Sequence, residues 1–259
     1  MEIVVTTTHS QKGLSTELIK FLDETNFSFV QRENSSIKNI QEKHKAGAVI
    51  VWHKDGPVLH LEGKKFYYHP SMAKNRISLY RKKGIIDPLI KACKLSDGDK
   101  FLDCTLGLGA DALVVTYFNS QGQTISLESS QIIATIVKWG MKLYTSELIW
   151  LDEAIKRIEV INSNYLTYLS LLADKSFDII YFDPMFRNPL LKSEPLTPLR
   201  LLANHSPLSL EAIAEATRVA RKRVVVKELA RSGEFNRLGI KNFVSSPNNK
   251  IAFGIIDLE

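Results

Sequence analysis

From Asp99 onward, short apolar runs alternate with amphipathic stretches, and this alternation limits the possible folds more than any other feature. Strand-like runs fall at 100–104, 124–127, 157–161, 177–182 and 223–227, and β-branched and aromatic residues dominate them. That composition suits a pleated, buried surface. Helical patterns lie between them, as at 111–118 and 208–219. Strands that alternate with helices build a parallel sheet through right-handed crossovers. The end departs from this rule. "KNFVSS" and "KIAFGIIDL" are separated only by "PNN", too little chain for a crossover, so these two strands pair antiparallel. The expected fold over 99–259 is therefore α/β: a Rossmann-like, seven-stranded sheet of five parallel strands closed by an antiparallel hairpin.

The first 70 residues read as a smaller α/β subdomain. Strands are expected at 3–7, 27–31 and 48–53, helices at 14–24 and 36–45, and two short strands at 58–61 and 65–68 after a "KDGP" turn. Within 71–98, "HPSMAKNRISLYRKKG" looks like a connecting segment, and "IIDPLIKACK" like a helix that opens with Pro88 in its first turn. No apolar run approaches the ~18 residues of a membrane span. The start, "MEIVVTTTHSQKG", lacks a signal-peptide pattern. Two cysteines, Cys93 and Cys104, offer neither a disulfide framework nor a zinc site. A cytoplasmic protein without metal or membrane partner is expected.

Charge narrows the partners. The net charge is +6 over 259 residues, and all of the excess lies before residue 99. It concentrates in 64–94, where nine Lys/Arg face one acid, Asp87, with Phe66, Tyr67, Tyr68 and Tyr80 interleaved. Cations meet phosphates and rings meet unstacked bases, so this stretch suits RNA. A solvated helix face is the plainer alternative.

Two motifs carry chemistry. In "FLDCTLGLGADA" a strand ends at Asp103, and Gly107 and Gly109 open a helix. The glycines let backbone approach a ligand, and a helix N-terminus favours an anionic group. An acid four residues before the first glycine repels a pyrophosphate but suits a methionine amino group. Glu128, closing "TISLE", stands where an acid binds a ribose diol. The second motif, "SFDIIYFDPMFRNP", is a buried strand stopped by Pro184, with Asp183 on its lip and Phe186 three residues on. A carboxylate, a rigid turn and a ring make either a plain strand exit or a pocket for a flat amine.

The Asp-x-x-x-Gly-x-Gly spacing and the sheet pattern resemble class I S-adenosylmethionine (SAM)-dependent methyltransferases. "DPMF" resembles the Asn/Asp-Pro-Pro-Tyr/Phe motif of enzymes that methylate exocyclic amines of bases. With "DCTLGLGADA" and "RVVVKE", it resembles the bacterial small-subunit ribosomal RNA guanine-N2 methyltransferases over roughly residues 70–230. The resemblance implies SAM as cofactor, ribosomal RNA as partner, and Asp183, Pro184 and Phe186 as catalytic residues. By position it places Ala110, Asp111, Glu128, Ser129, Asn164, Tyr165 and Asp183 at the cofactor, beside Asp103, Gly107 and Gly109. The chain departs from that family at Ala110, where an Arg is usual, and at Asn164-Tyr165, which replaces a serine pair. "RNPLLKSEPLTPLR" stands in place of a lysine-rich segment. Alternatives are a methyltransferase of small molecules or proteins, a dinucleotide-dependent oxidoreductase, and a non-catalytic RNA-binding relative.

Overall fold

A computed structural model describes residues 1–11, 13–184, 197–245 and 250–258, the side chains of 197 and 198 excepted. The chain divides into two compact units. The first holds β1 (Ile3–Thr7), α1 (Thr16–Thr25), β2 (Ser28–Phe29), α2 (Ile37–His44), β3 (Ala48–His53), β4 (Gly56–Leu61) and β5 (Lys64–Phe66). Its strands order β2-β1-β3-β4-β5, with β1 parallel to β2 and β3, and β3, β4 and β5 a meander. Serines set both helix starts. Ser15 accepts the Leu18 N–H at 3.2 Å and Ser36 the Asn39 N–H at 3.1 Å, so each caps a helix rather than belonging to it. The expected strand at 27–31 shrinks to two residues.

The second unit begins with α3 (Ser71–Lys83) and α4 (Pro88–Cys93), then β6 (Lys100–Asp103), α5 (Ala110–Phe118) and β7 (Gln123–Glu128). Helix α6 (Gln131–Leu143) starts here, and its residues from Thr135 belong to the first unit. Then follow α7 (Ile149–Lys156), β8 (Ile158–Asn162), α8 (Tyr165–Ser170) and β9 (Phe177–Phe182). After α9 (Thr197–Leu202), part of the first unit, come α10 (Leu210–Val219), β10 (Ala220–Leu229), α11 (Glu234–Arg237), β11 (Asn242–Ser245) and β12 (Ile251–Asp257). Helix α3 corrects the expectation of a connecting segment. It buries only Ala73 and Ile77, so its apolar stripe is nearly invisible in sequence, and Gly84 ends it at φ +68°.

Among the described residues the large sheet has seven strands, ordered β11-β12-β10-β9-β6-β7-β8. Strands β8, β7, β6, β9 and β10 run parallel; β12 is antiparallel to β10, and β11 to β12. The parallel array with a closing hairpin is as the alternation predicts. Leu102, Ile180 and Val224 align across three strands in one core cluster with Phe182 and Val226. Since β6 leads through α5 to β7 on one side while β9 lies on its other, the strand order reverses between β6 and β9. A crevice outside the carboxyl ends of strands at such a point is where open α/β sheets bind ligands.

Candidate active site

The β6 end builds the first wall. Asp103 is 1% exposed, and its carboxyl accepts the Thr105 N–H at 2.9 Å, which closes a tight turn after the strand. Burial pushes this carboxyl up to about 8, against the Thr105 N–H bond and with help from the charges of Asp111 and Asp183. Gly107 and Gly109 sit at φ +53° and +71°, conformations that favour glycine, and α5 starts directly after them. Glu128, at the end of β7, clamps the loop from the side. Its Oε2 accepts the Gly107 N–H at 3.2 Å and its Oε1 the Ser130 N–H at 2.9 Å. Burial raises its pKa against those bonds.

The second wall is the β9 end. The Asp183 N–H donates to Thr105 Oγ1 at 2.6 Å, and the Cys104 N–H to the Tyr181 carbonyl at 2.9 Å. Residues 78 positions apart in sequence are thus tied together, as the switch point predicts. Asp183 Oδ2 lies 2.7 Å from Lys227 Nζ on β10. Lys227 also meets Asp111 Oδ2 at 2.9 Å, and Asp111 takes a bond from the Tyr181 hydroxyl at 2.7 Å and one from Arg76. Arg76 grips Asp87 with two bonds of 2.7 and 2.8 Å. Positive and negative groups alternate along this chain. Although burial opposes it, the two carboxylates hold Lys227 above its ordinary value. Lys227 and Arg76 in turn outweigh burial at Asp111 and hold it low. Asp183 is raised to about 6, by burial first, against Lys227 and with Asp111 adding to the rise.

A cleft outside the two strand ends is lined by Cys104, Thr105, Gly107, Leu127, Glu128, Ser129, Tyr165, Asp183 and Pro184, with Ala203, Asn204 and Ser206. Six residues expected from sequence therefore meet here: Gly107, Glu128, Ser129, Tyr165, Asp183 and Pro184. Among the described residues, Asp103, Gly109, Ala110, Asp111 and Asn164 do not line it. Asp103 is turned onto Thr105, Gly109 and Ala110 start α5, and Asp111 is spent in the ion chain. Asn164 caps α8 by accepting the Leu166 N–H at 2.9 Å. Phe186 lies outside the described residues. Nothing local in "RVVVKE" gives Lys227 a role, and nothing local marks Thr105; the pairing of strands brings both to the site.

The basic stretch 64–94 does not form one basic and aromatic face. Phe66 and Tyr68 are buried, and the Tyr80 ring packs 4.6 Å from Phe118. Arg76 is committed to the ion chain, while Arg81 lies 5.0 Å over the Trp150 ring and donates to the Tyr117 hydroxyl at 3.2 Å. Lys64, Lys65, Lys74, Lys82, Lys83, Lys91 and Lys94 remain exposed, as does Tyr67.

Five parallel strands closed by an antiparallel hairpin, with a glycine loop after β6 and an acid ending β7, define a class I methyltransferase. A family model described as "Putative SAM-dependent methyltransferase" matches residues 29–242, and the chain belongs to that family. It is a SAM-dependent methyltransferase, and SAM is its cofactor. The chain is 32% identical over 234 residues to an uncharacterized protein, YpiP, of Bacillus subtilis strain 168, covering 90% of each. It is 30% identical over 169 residues to ribosomal RNA small subunit methyltransferase J of Hydrogenovibrio crunogenus, covering 63% of this chain and 60% of that one. The namesake of Buchnera aphidicola is 35% identical over 132 residues, 49% of this chain and 51% of its own. A SAM-dependent methyltransferase structure from Neisseria gonorrhoeae superposes with a TM-score of 0.63 at 17% identity, over 99% of this chain and 96% of that one, which shows the shared fold. The residues present fit the cofactor: the buried Glu128 carboxylate suits a diol, and the two left-handed glycines beside it carry no side chain to crowd a ligand.

Proposed function

We propose that this enzyme methylates the exocyclic amine of a base, guanine N2, in small-subunit ribosomal RNA. The observation that carries the reading is Asp183-Pro184 at the end of β9, with Asp183 facing the same cleft as Glu128. The shared stretch with relatives named ribosomal RNA small subunit methyltransferase J supports the choice of RNA. The exposed lysines of 64–94 supply phosphate contacts. An enzyme of this kind works in the cytoplasm, and among the described residues no helix is long and apolar enough to cross a membrane.

An exocyclic amine is a weak nucleophile because its lone pair is delocalised into the ring. The Asp183 carboxylate and the Pro184 carbonyl accept its two N–H bonds and draw the nitrogen toward tetrahedral geometry. Holding the partners together supplies much of the acceleration. When bound, SAM supplies a methyl on a sulfonium, whose sulfur keeps the electron pair of the breaking C–S bond. The nitrogen forms the new N–C bond and gives one proton to Asp183. Glu128 would hold the ribose diol of the cofactor, and Asp103, set back from the cleft lining, would attract its amino group by charge. Phe186, outside the described residues, would supply the ring that stacks on the base, an interaction worth ~1–3 kcal/mol.

Mass spectrometry of nucleosides from a deletion strain tests the reading. Small-subunit RNA should lose one N2-methylguanosine, and the purified protein with SAM should restore it. An unchanged nucleoside profile, with methyl transfer found only on small molecules or proteins, would overturn it.

A further inference from the structure

We propose that Lys227 is a positioning residue for Asp183: it fixes one carboxylate oxygen and lets Asp183 meet the amine as an anion. The inference rests on the reading of Asp183 as the amine acceptor. Lys227 follows Val226, which pairs with Phe182, so the register of β10 on β9 delivers its side chain to the residue after the strand end. The ammonium lies 2.7 Å from Asp183 Oδ2 and 2.9 Å from Asp111 Oδ2, and the lysine side chain is 16% exposed. It cannot swing toward solvent without abandoning two carboxylates. Asp111 is itself anchored by Arg76 and by the Tyr181 hydroxyl. The position of Lys227 is therefore dictated from behind, and Lys227 dictates that of Asp183.

The ammonium also answers an electrostatic problem. Asp183 and Asp111 stand across one nitrogen, so without a cation between them both cannot be ionised. Asp111 would retain Arg76; Asp183 would be the one to take a proton. A protonated Asp183 has lost the charge that draws N–H bonds and can no longer receive the proton released on transfer. Among the described residues, the groups facing Asp183 are Lys227 on β10, Asp111 on α5, Tyr181 on its own strand and Asp103 on β6; Glu128, Tyr165 and Cys104 line the same cleft. Lys227 alone among these bears positive charge.

The signs follow. Activity requires ionised Asp183, which sits at about 6, so the wild-type rate should fall on the acid side of that value. Removing the cation moves this limb to higher pH, and each unit it passes above neutrality costs about tenfold in rate at pH 7. Removing the Asp111 charge moves it to lower pH, because that carboxylate pushes Asp183 up.

Single-turnover methyl transfer to small-subunit RNA, measured against pH, tests this on Lys227→Met, Lys227→Arg, Asp111→Asn and Asp183→Asn, with SAM binding as the control for folding. Expected are a slow Lys227→Met that recovers in alkali, a Lys227→Arg with the wild-type limb, and an Asp111→Asn limb shifted downward. A Lys227→Met limb that coincides with wild type, or a loss that no pH restores in a variant still binding SAM, overturns the role. If Lys227→Met does not fold, the downward shift in Asp111→Asn decides in its place: a limb unmoved or raised overturns the role. With Asp183→Asn inactive, such failures strike Lys227 alone. If Asp183→Asn transfers methyl normally, the amine reading falls and takes this inference with it.

Discussion

Glu128 does two things with one carboxylate: it ends β7 facing the cleft, and it satisfies the Gly107 and Ser130 amides. On the proposed reading, Glu128→Ala removes a charge-assisted acceptor for the ribose, and it leaves two loop amides without their partner. SAM affinity should drop by about 1–3 kcal/mol in calorimetry, and Glu128→Gln, which keeps an acceptor, by less. Unchanged affinity in the alanine variant would remove Glu128 from the cofactor site. Asp183→Asn makes a different kind of change. If Asp183 is the proposed amine acceptor, the change removes an anion that matters as charge develops, so turnover should fall steeply while RNA affinity and melting temperature stay near wild type. A lower melting temperature with proportional loss of cofactor binding would instead mark Asp183 as structural.

At the scale of elements, close packing outweighs intrinsic preference. Gly140 lies inside α6, where alanine would gain about 1 kcal/mol in helix propensity. A Cβ there would fall 2.3 Å from Tyr68 Cβ, close to the backbone and unable to rotate away. Overpacking of this kind costs about 1–3 kcal/mol, so Gly140→Ala should lower stability to chemical denaturation on balance. A stabilised variant would mean that the Tyr68 ring yields. The same contest explains what the sequence could reveal. Strand β9 was legible to the residue because Phe177–Phe182 is apolar on both faces, as a central parallel strand must be. Helix α3 was not, because two buried side chains in thirteen residues make no stripe. That Asp183, Glu128 and Gly107 meet at one cleft was legible from their places at or shortly after strand ends. Lys227 could not be, since Asp111 and Asp183 are 116 and 44 residues away and a lysine after three valines shows nothing of them. The serine caps were legible as residue types, yet the helices were expected to begin before or at them.

For the molecule as a whole, the lopsided charge bears on how the proposed RNA substrate would be met. Lys82 and Lys83 end α3 exposed, whereas Arg76 and Arg81 are held by protein groups. Neutralising the two lysines should weaken RNA binding and flatten its salt dependence by roughly 0.7 per lost single-strand contact, with SAM affinity unchanged. An unaltered slope would make this end of α3 an ordinary solvated face. The buried Asp103 has a thermodynamic reach of its own. With its carboxyl pushed up to about 8, it carries a proton at neutral pH. If the cofactor's cationic amino group settles beside it as proposed, the ionised form is favoured, and taking up the methyl donor then expels that proton. Affinity for SAM should then climb with pH, by up to about tenfold per unit, and level off above 8. Calorimetry at pH 7 in buffers of different protonation heat should register the released proton, and Asp103→Asn should abolish both the release and the climb. The enzyme's grip on its methyl donor would thus loosen as its surroundings acidify, with no second site needed to sense the change.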